Sequence, residues 1–282
     1  MPALLSDVSA RLASISDTPA LDASVLIAHI IGKPRTWVLA HPELTLLPEQ
    51  QKRLDTSLEQ LELGEPFPYV LGRWEFFGLE LNVTPDVLIP RPETELLVEK
   101  AIAWLQGSNV RRTVADVGTG SGAIAISIAM NVPDAHILAT DISHAALEVA
   151  SGNARKFHVE GRIDFVQCDI LPPHPDPLAT EDHFDLICAN LPYIPTDTLR
   201  GLPVYGREPT LALDGGEDGL DLFRRLMQVA PACLAPNGLI LLEIESTCGI
   251  QALALAYDMF SQAEIHLHQD LTGRDRLLEI RL

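Results

Sequence analysis

The chain has 282 residues, 47% of them hydrophobic, enough to bury one full α/β domain and a smaller companion. Its 20 Lys and Arg against 39 Asp and Glu give a formal charge of −19 and a pI of about 4.7, which argues against an affinity built on neutralising phosphates. No run approaches the ~20 apolar residues a bilayer requires, and Met1 to Ile15 carries neither a basic leader nor an apolar signal core, so a cytoplasmic protein with no membrane contact is expected. Cys168, Cys188, Cys233 and Cys248 lack CxxC spacing and the histidines are scattered, so buried reduced thiols and no metal are expected.

From Leu4 to about Leu63 apolar residues recur at helical spacing, as in Leu21, Val25, Leu26, Ile30 and Leu54, Leu58, Leu61, with Pro19, Pro34, Pro42 and Pro48 as punctuation. A bundle of four or five short helices is expected over residues 1–68. Six basic residues against ten acidic ones up to Glu75 make it no clamp for nucleic acid, and a solvated cap and a docking surface for a protein substrate are both open. Residues 69–90 change character: Trp74, Phe76, Phe77, Leu79, Leu81 and Val83 around Gly78 read as a hairpin linking two domains. Pro90 to Glu95 then hold the chain extended and start a helix with acids in its first turn.

Over 91–282, β-rich runs alternate with helical ones: Thr113 to Val117, His136 to Asp141, Asp164 to Cys168, Asp185 to Ala189 and Leu239 to Ile244. The alternation predicts a doubly wound, mostly parallel sheet with helices on both faces. Ile265 to Gln269 and Leu277 to Leu282, joined by a Thr272-Gly273 turn without room for a helix, predict a closing antiparallel hairpin. The Pro-rich stretch from Pro172 to Pro177 reads as a loop.

Two motifs carry the chemistry. Asp116, Val117, Gly118, Thr119, Gly120, Ser121, Gly122 follows the first of these strands, and ligands of doubly wound sheets sit beyond the carboxyl ends of strands. Asp141 ends the next strand, where a carboxylate can accept ribose hydroxyls, and Asp169 follows the third, where it can accept an adenine NH2. Gly118, Gly120 and Ala123 also satisfy the loose dinucleotide pattern, and the glycines alone do not decide. Asp116 favours a cationic sulfonium or amino group over a pyrophosphate, though it can equally cap the glycine turn.

The second motif is Asn190, Leu191, Pro192, Tyr193, directly after a strand. An amide or exocyclic aromatic nitrogen is a poor nucleophile because its lone pair is delocalised. The Asn190 side-chain oxygen and the Leu191 carbonyl can accept its two N–H bonds and aim the lone pair at a methyl carbon, with Tyr193 as a flat wall. In this order the two motifs point to methyl transfer from S-adenosylmethionine onto a planar nitrogen.

The chain closely resembles the PrmC/HemK family of protein-(glutamine-N5) methyltransferases that modify peptide chain release factors. The resemblance runs from the helical region to the last strand. It rests on Pro66, Tyr69, Gly72 and Phe76, on Leu88 to Glu95 (LIPRPETE), on Asp116 to Ile126 (DVGTGSGAIAI), on Asp141-Ile142-Ser143, Ala146-Leu147 and Asn153-Ala154, and on Glu208-Pro209, Ala212-Leu213, Gly215-Gly216 and Asp218-Gly219-Leu220. It implies a seven-stranded class I methyltransferase sheet, with S-adenosylmethionine held by Asp116, Gly118, Thr119, Gly120, Ser121, Gly122, Asp141, Asp169, Ile170 and Asn190. It further implies that Asn190 to Tyr193 receive the glutamine of a Gly-Gly-Gln loop, and that Glu93 to Glu95 lie near the cofactor's methionine end.

Two positions depart from the family pattern: Leu191 stands where the first of two prolines is usual, and Glu245-Ser246 where a glycine is common. Asn-Leu-Pro-Tyr also occurs in ribosomal RNA adenine dimethyltransferases, so adenine-N6 methylation of rRNA or DNA is the alternative. Against it, Phe184 to Asp221 carries only Arg200 and Arg207 and an excess of acids, so no direct nucleic-acid binding is expected.

Overall fold

The computed structural model describes residues 3–108, 112–172 and 183–282, and most of the proline-rich stretch after Pro172 lies outside them. The chain divides into two compact units, Met1–Arg73 and Trp74–Leu282.

In the first unit the proline punctuation separates α1 (Ala3–Leu12), α2 (Pro19–Ile31), α3 (Arg35–Ala40), α4 (Pro48–Glu62) and α5 (Phe67–Leu71). Pro19 and Pro48 begin their helices, where a missing N–H removes no helical bond. The apolar stripe read from the sequence becomes one core, with Leu26, Ile27 and Ile30 of α2 packed with Leu54, Leu58 and Leu61 of α4.

The second unit opens with the hairpin β1 (Arg73–Phe76) and β2 (Leu79–Asn82). Phe77 and Gly78 turn it, both with positive φ, as a two-residue hairpin turn requires. Phe76 and Leu81 belong to the main core, so the hairpin is a packed part of this unit. A 3₁₀ turn at Pro92–Thr94 leads into α6 (Glu95–Gln106). Then follow β3 (Thr113–Val117), α7 (Ala123–Asn131), β4 (His136–Asp141), α8 (His144–Lys156), β5 (Ile163–Gln167), β6 (Phe184–Ala189), α9 (Thr196–Leu199), α10 (Asp221–Cys233), β7 (Leu234–Glu243), α11 (Gly249–Met259), β8 (Glu264–Gln269) and β9 (Asp275–Arg281).

The sheet order is β5-β4-β3-β6-β7-β9-β8. The pairs from β5 through β7 are parallel, and β9 is antiparallel to both β7 and β8. This is the class I methyltransferase sheet, closed by an antiparallel hairpin. Its two faces are read residue by residue: Val114, Leu186, Cys188, Leu239 and Leu241 join the core shared with α6 and α7, while Ala115, Val117, Ile187, Ala189, Ile240 and Leu242 join the one shared with α10 and α11. Cys188, Cys233 and Cys248 are buried free thiols, and Cys168, just beyond β5, is half-buried. No helix among the described residues is long and apolar enough to cross a membrane.

Candidate active site

Register brings the two motifs together. Val117 pairs with Ala189 on one side and with Thr140 on the other, so Gly118, Asn190 and Asp141 leave three adjacent strands at one rim. Asp141 pairs with Gln167, which puts Asp169 on the same edge, and this is the carboxyl end of the sheet at its topological switch point. A cavity of about 890 Å³ opens there. Gly118, Thr119, Gly120, Ser121, Asp141, Asp169, Ile170, Asn190, Leu191 and Pro192 all line it.

The glycine turn is held from within. Gly118 and Thr119 donate their amides to the Thr140 carbonyl, and Gly122 donates to Thr119. Gly120 donates to Asp141 Oδ2 at 2.9 Å, while Asp141 Oδ1 accepts Ser143 N at 2.9 Å. With these amides already satisfied, the turn offers little to a pyrophosphate, and the dinucleotide reading of the glycines loses its basis. Each Asp141 oxygen keeps further acceptor capacity for a diol.

Asp116 and Gly122 do not line the cavity. Asp116 is fully buried beneath the turn, where Oδ2 accepts the Thr119 hydroxyl at 2.7 Å and Ala125 N at 3.1 Å. Burial pushes its carboxyl up to about 6, the Thr119 and Ala125 donors oppose the rise, and the charge of Asp141 adds to it. Oδ1 has no hydrogen-bond partner. Asn153, also fully buried, donates to the carbonyls of Ser121 and Asn82, so it ties the turn to the hairpin.

At the third strand's end, Asp169 pairs with Arg225 of α10, which also lines the cavity. Ile170 has a φ of 68°, strained for a β-branched residue, and Thr140 Oγ1 fixes it by donating to its carbonyl at 2.7 Å.

In the second motif, Asn190 Nδ2 donates to Thr94 Oγ1 at 3.0 Å. The Leu191 side chain covers the glycine turn: a Cβ on Gly118 would stand 3.1 Å from Leu191 Cδ2. Tyr193 is turned away from the large cavity and donates its hydroxyl to Glu243 Oε1 at 3.2 Å. Burial raises the Tyr193 phenol far above its ordinary range, and the nearby Glu243 adds to this. Burial likewise pushes the Glu243 carboxyl up to about 7, against donation from Thr94 and Tyr193 and the charge of Arg276, while Glu93 adds to the rise.

The motif's backbone is clasped by the segment after it. Ile194 donates its amide to the Leu213 carbonyl and accepts the Gly215 amide on its own, and a Cβ on Gly215 would meet Pro192 O at 2.8 Å and Tyr193 Cα at 2.7 Å. Only glycine fits there, which is the physical content of the Gly215-Gly216 signature. Buried Glu208 accepts Ile89 N at 3.1 Å and pairs with Arg91, so the LIPRP and Glu-Pro signatures are two sides of one contact.

The sequence gives no site role to Glu243, Arg225 or Asn153, and Thr94 enters only within the stretch Glu93 to Glu95. Glu243 had a readable signal, a lone carboxylate inside the apolar run Leu239 to Ile244. Of the acids flanking Thr94, Glu95 is turned to the hairpin, where Oε1 accepts Phe77 N at 2.9 Å, and Thr94 itself is the one of the three that lines the cavity.

Comparison with known proteins agrees with this architecture. A model described as the PrmC N-terminal domain matches residues 3–72, and one described as a methyltransferase domain matches residues 108–264. The release factor glutamine methyltransferase of Moorella thermoacetica is 42% identical over 261 residues, 92% of this chain and 90% of that protein. That of Bordetella pertussis is 40% identical over 263 residues, 92% and 93% of the two chains. Among solved structures, a methyltransferase from Pyrococcus furiosus shares the fold at 15% identity, with a TM-score of 0.51 over 83% of this chain and 98% of that one. A cavity at the switch point, a glycine turn and an Asn-Leu-Pro-Tyr loop on neighbouring strands, and relatives that span nine-tenths of both chains lead to one assignment: this chain belongs to the release factor glutamine methyltransferase family.

Proposed function

We propose that this protein transfers a methyl group from S-adenosylmethionine to the side-chain amide nitrogen of the glutamine in the Gly-Gly-Gln motif of a peptide chain release factor, in the cytoplasm. The observation that carries the reading is the placement of Asn190 beside Gly118 on paired strands, opening into one cavity.

The residues present fit S-adenosylmethionine. The cavity volume accommodates a nucleoside with an amino-acid tail, Asp141 and Asp169 offer acceptors at its rim, and the unpartnered, buried Asp116 Oδ1 leaves negative potential under the turn. When bound, this cofactor supplies a methyl group on a positively charged sulfur. The chain's own part is orientation. Asn190 Oδ1 and the Leu191 carbonyl accept the two N–H bonds of the glutamine amide, which holds its lone pair perpendicular to the amide plane and toward the donor. As nitrogen becomes positive those two oxygens bind it more strongly, so the interaction grows toward the transition state. Leu191 and Pro192 line the cavity with apolar surface and keep water from competing as acceptor.

The acidic chain and the scarcity of basic residues around Asn190 support a protein acceptor without direct nucleic-acid contact. The helical unit, acidic overall, is assigned the docking of the release factor. Incubation with methyl-labelled S-adenosylmethionine and either a release factor or ribosomal RNA tests the reading. Label on the glutamine of the release factor is the expected result, and label on adenine alone overturns it.

A further inference from the structure

Thr94 stands at the N-cap of α6, where a threonine hydroxyl ordinarily closes the first turn, yet its side chain makes no capping bond. The hydroxyl is committed elsewhere. Its Oγ1 accepts Asn190 Nδ2 at 3.0 Å from a residue 96 positions away, and both Thr94 and Asn190 line the cavity. Behind it stands Glu243, 5% exposed, on the strand beside Asn190, since Ala189 pairs with Leu242.

A threonine hydroxyl has one hydrogen. Thr94 is one of the two hydroxyls that stabilise the charged form of Glu243, and a carboxylate in that form can only accept the hydrogen. Toward Asn190, Thr94 is then left with lone pairs alone, and only the NH2 half of a carboxamide can meet a lone pair. The oxygen half must face the other way. The opposite flip would set Asn190 NH2 against the NH2 of an incoming amide, donor against donor. We propose that Thr94, seated on Glu243, is a positioning residue that orients the Asn190 carboxamide with its oxygen toward the acceptor nitrogen. The inference rests on the reading above, in which Asn190 Oδ1 accepts from the glutamine amide.

The test compares four variants of the whole enzyme with S-adenosylmethionine and a release factor at about pH 8, where Glu243 is mostly ionised. Thr94→Val removes the hydroxyl at constant shape, frees the amide to flip, and lowers kcat by about tenfold or more, while the KM for S-adenosylmethionine stays within about twofold. Thr94→Ser restores the hydroxyl and recovers most of the rate, which a loss of packing alone would not do. Glu243→Gln provides a second readout that does not depend on Thr94→Val folding. Its oxygen stays with the Tyr193 hydroxyl and its NH2 faces Thr94, so Thr94 turns its hydrogen toward Asn190 and kcat falls although the side chain is nearly isosteric. Wild-type kcat in both Thr94→Val and Glu243→Gln overturns the positioning role. Asn190→Ala separates the two levels: an inactive Asn190→Ala beside fully active Thr94→Val and Glu243→Gln sinks this inference only, whereas an active Asn190→Ala sinks the reading beneath it.

Discussion

Gly219 and Tyr193 meet backbone to backbone: a Cβ on Gly219 would lie 2.3 Å from the Tyr193 carbonyl oxygen, and Gly219 also has a φ of 80°. Gly219→Ala must therefore displace the Asn190-to-Tyr193 loop or strain its own backbone. The expected cost is about 1–3 kcal/mol of stability, read as a lower urea midpoint. Because the displaced element carries the proposed acceptor oxygens, kcat should fall while affinity for S-adenosylmethionine changes little. A fully active Gly219→Ala would show that the loop's position is not set by this contact.

Asp141 serves two neighbours at once, accepting Gly120 N and Ser143 N, one on each oxygen. Asp141→Ala removes both backbone acceptors as well as the proposed ribose contact. Affinity for S-adenosylmethionine should drop at least about tenfold, equal to about 1.4 kcal/mol, in a calorimetric titration. An unchanged dissociation constant would take Asp141 out of the ribose site.

The two buried carboxyls make stability depend on pH in a defined direction. Burial raises Asp116 from 3.8 to about 6 and Glu243 from 4.5 to about 7, so between their unfolded and folded values the native chain binds more protons than the unfolded one. Stability from these groups therefore falls as pH rises from about 4 to about 7, by about 3 kcal/mol each at most, and the penalty is complete above that window. Urea unfolding at a series of pH values should show a shallower fall in Asp116→Asn and in Glu243→Gln than in the parent. Equal slopes would mean that neither group is raised.

Glu208 is 5% exposed at its side chain and has Arg91 as its ion-pair partner. Arg91→Ala leaves a buried carboxylate with only the Ile89 amide, and removal of one member of a buried pair costs about 3–5 kcal/mol. Arg91 is itself about one-third exposed, which screens the pair and places the expected loss at the lower end. A melting temperature within a degree of the parent would show that the pair contributes nothing net.

Much of the scaffold could be read from residue order because its signals are local. Thr113 to Val117 and His136 to Asp141 are found as strands with the expected ends, since β-rich runs there stop at a glycine turn and at a helix-capping serine. β7 starts at Leu234, five residues before the expected Leu239, but the pairing with β6 shifts between Leu234 and Leu239, and Asn237 has a φ of 59°, so the turn composition of Pro236, Asn237 and Gly238 marks a bulge within the strand. Asn190 was legible for the same local reason, a polar amide and a proline directly after an apolar strand. Its partner Thr94 was not, because that contact spans 96 positions and is created by tertiary packing of α6. Tyr193 shows the limit of residue type as a guide: an aromatic ring beside a site suggests a wall, yet its hydroxyl draws it to the buried Glu243.

The pairing of Val117 with Ala189 has an evolutionary corollary. One residue added or lost within β3 or β6 would turn the outgoing side chains over to the opposite layer, and would part the glycine turn from the Asn190 loop at a stroke. Insertions and deletions among related chains should therefore accumulate in the connections, and the strand lengths leading into Gly118 and Asn190 should stay invariant even where the side chains inside them drift.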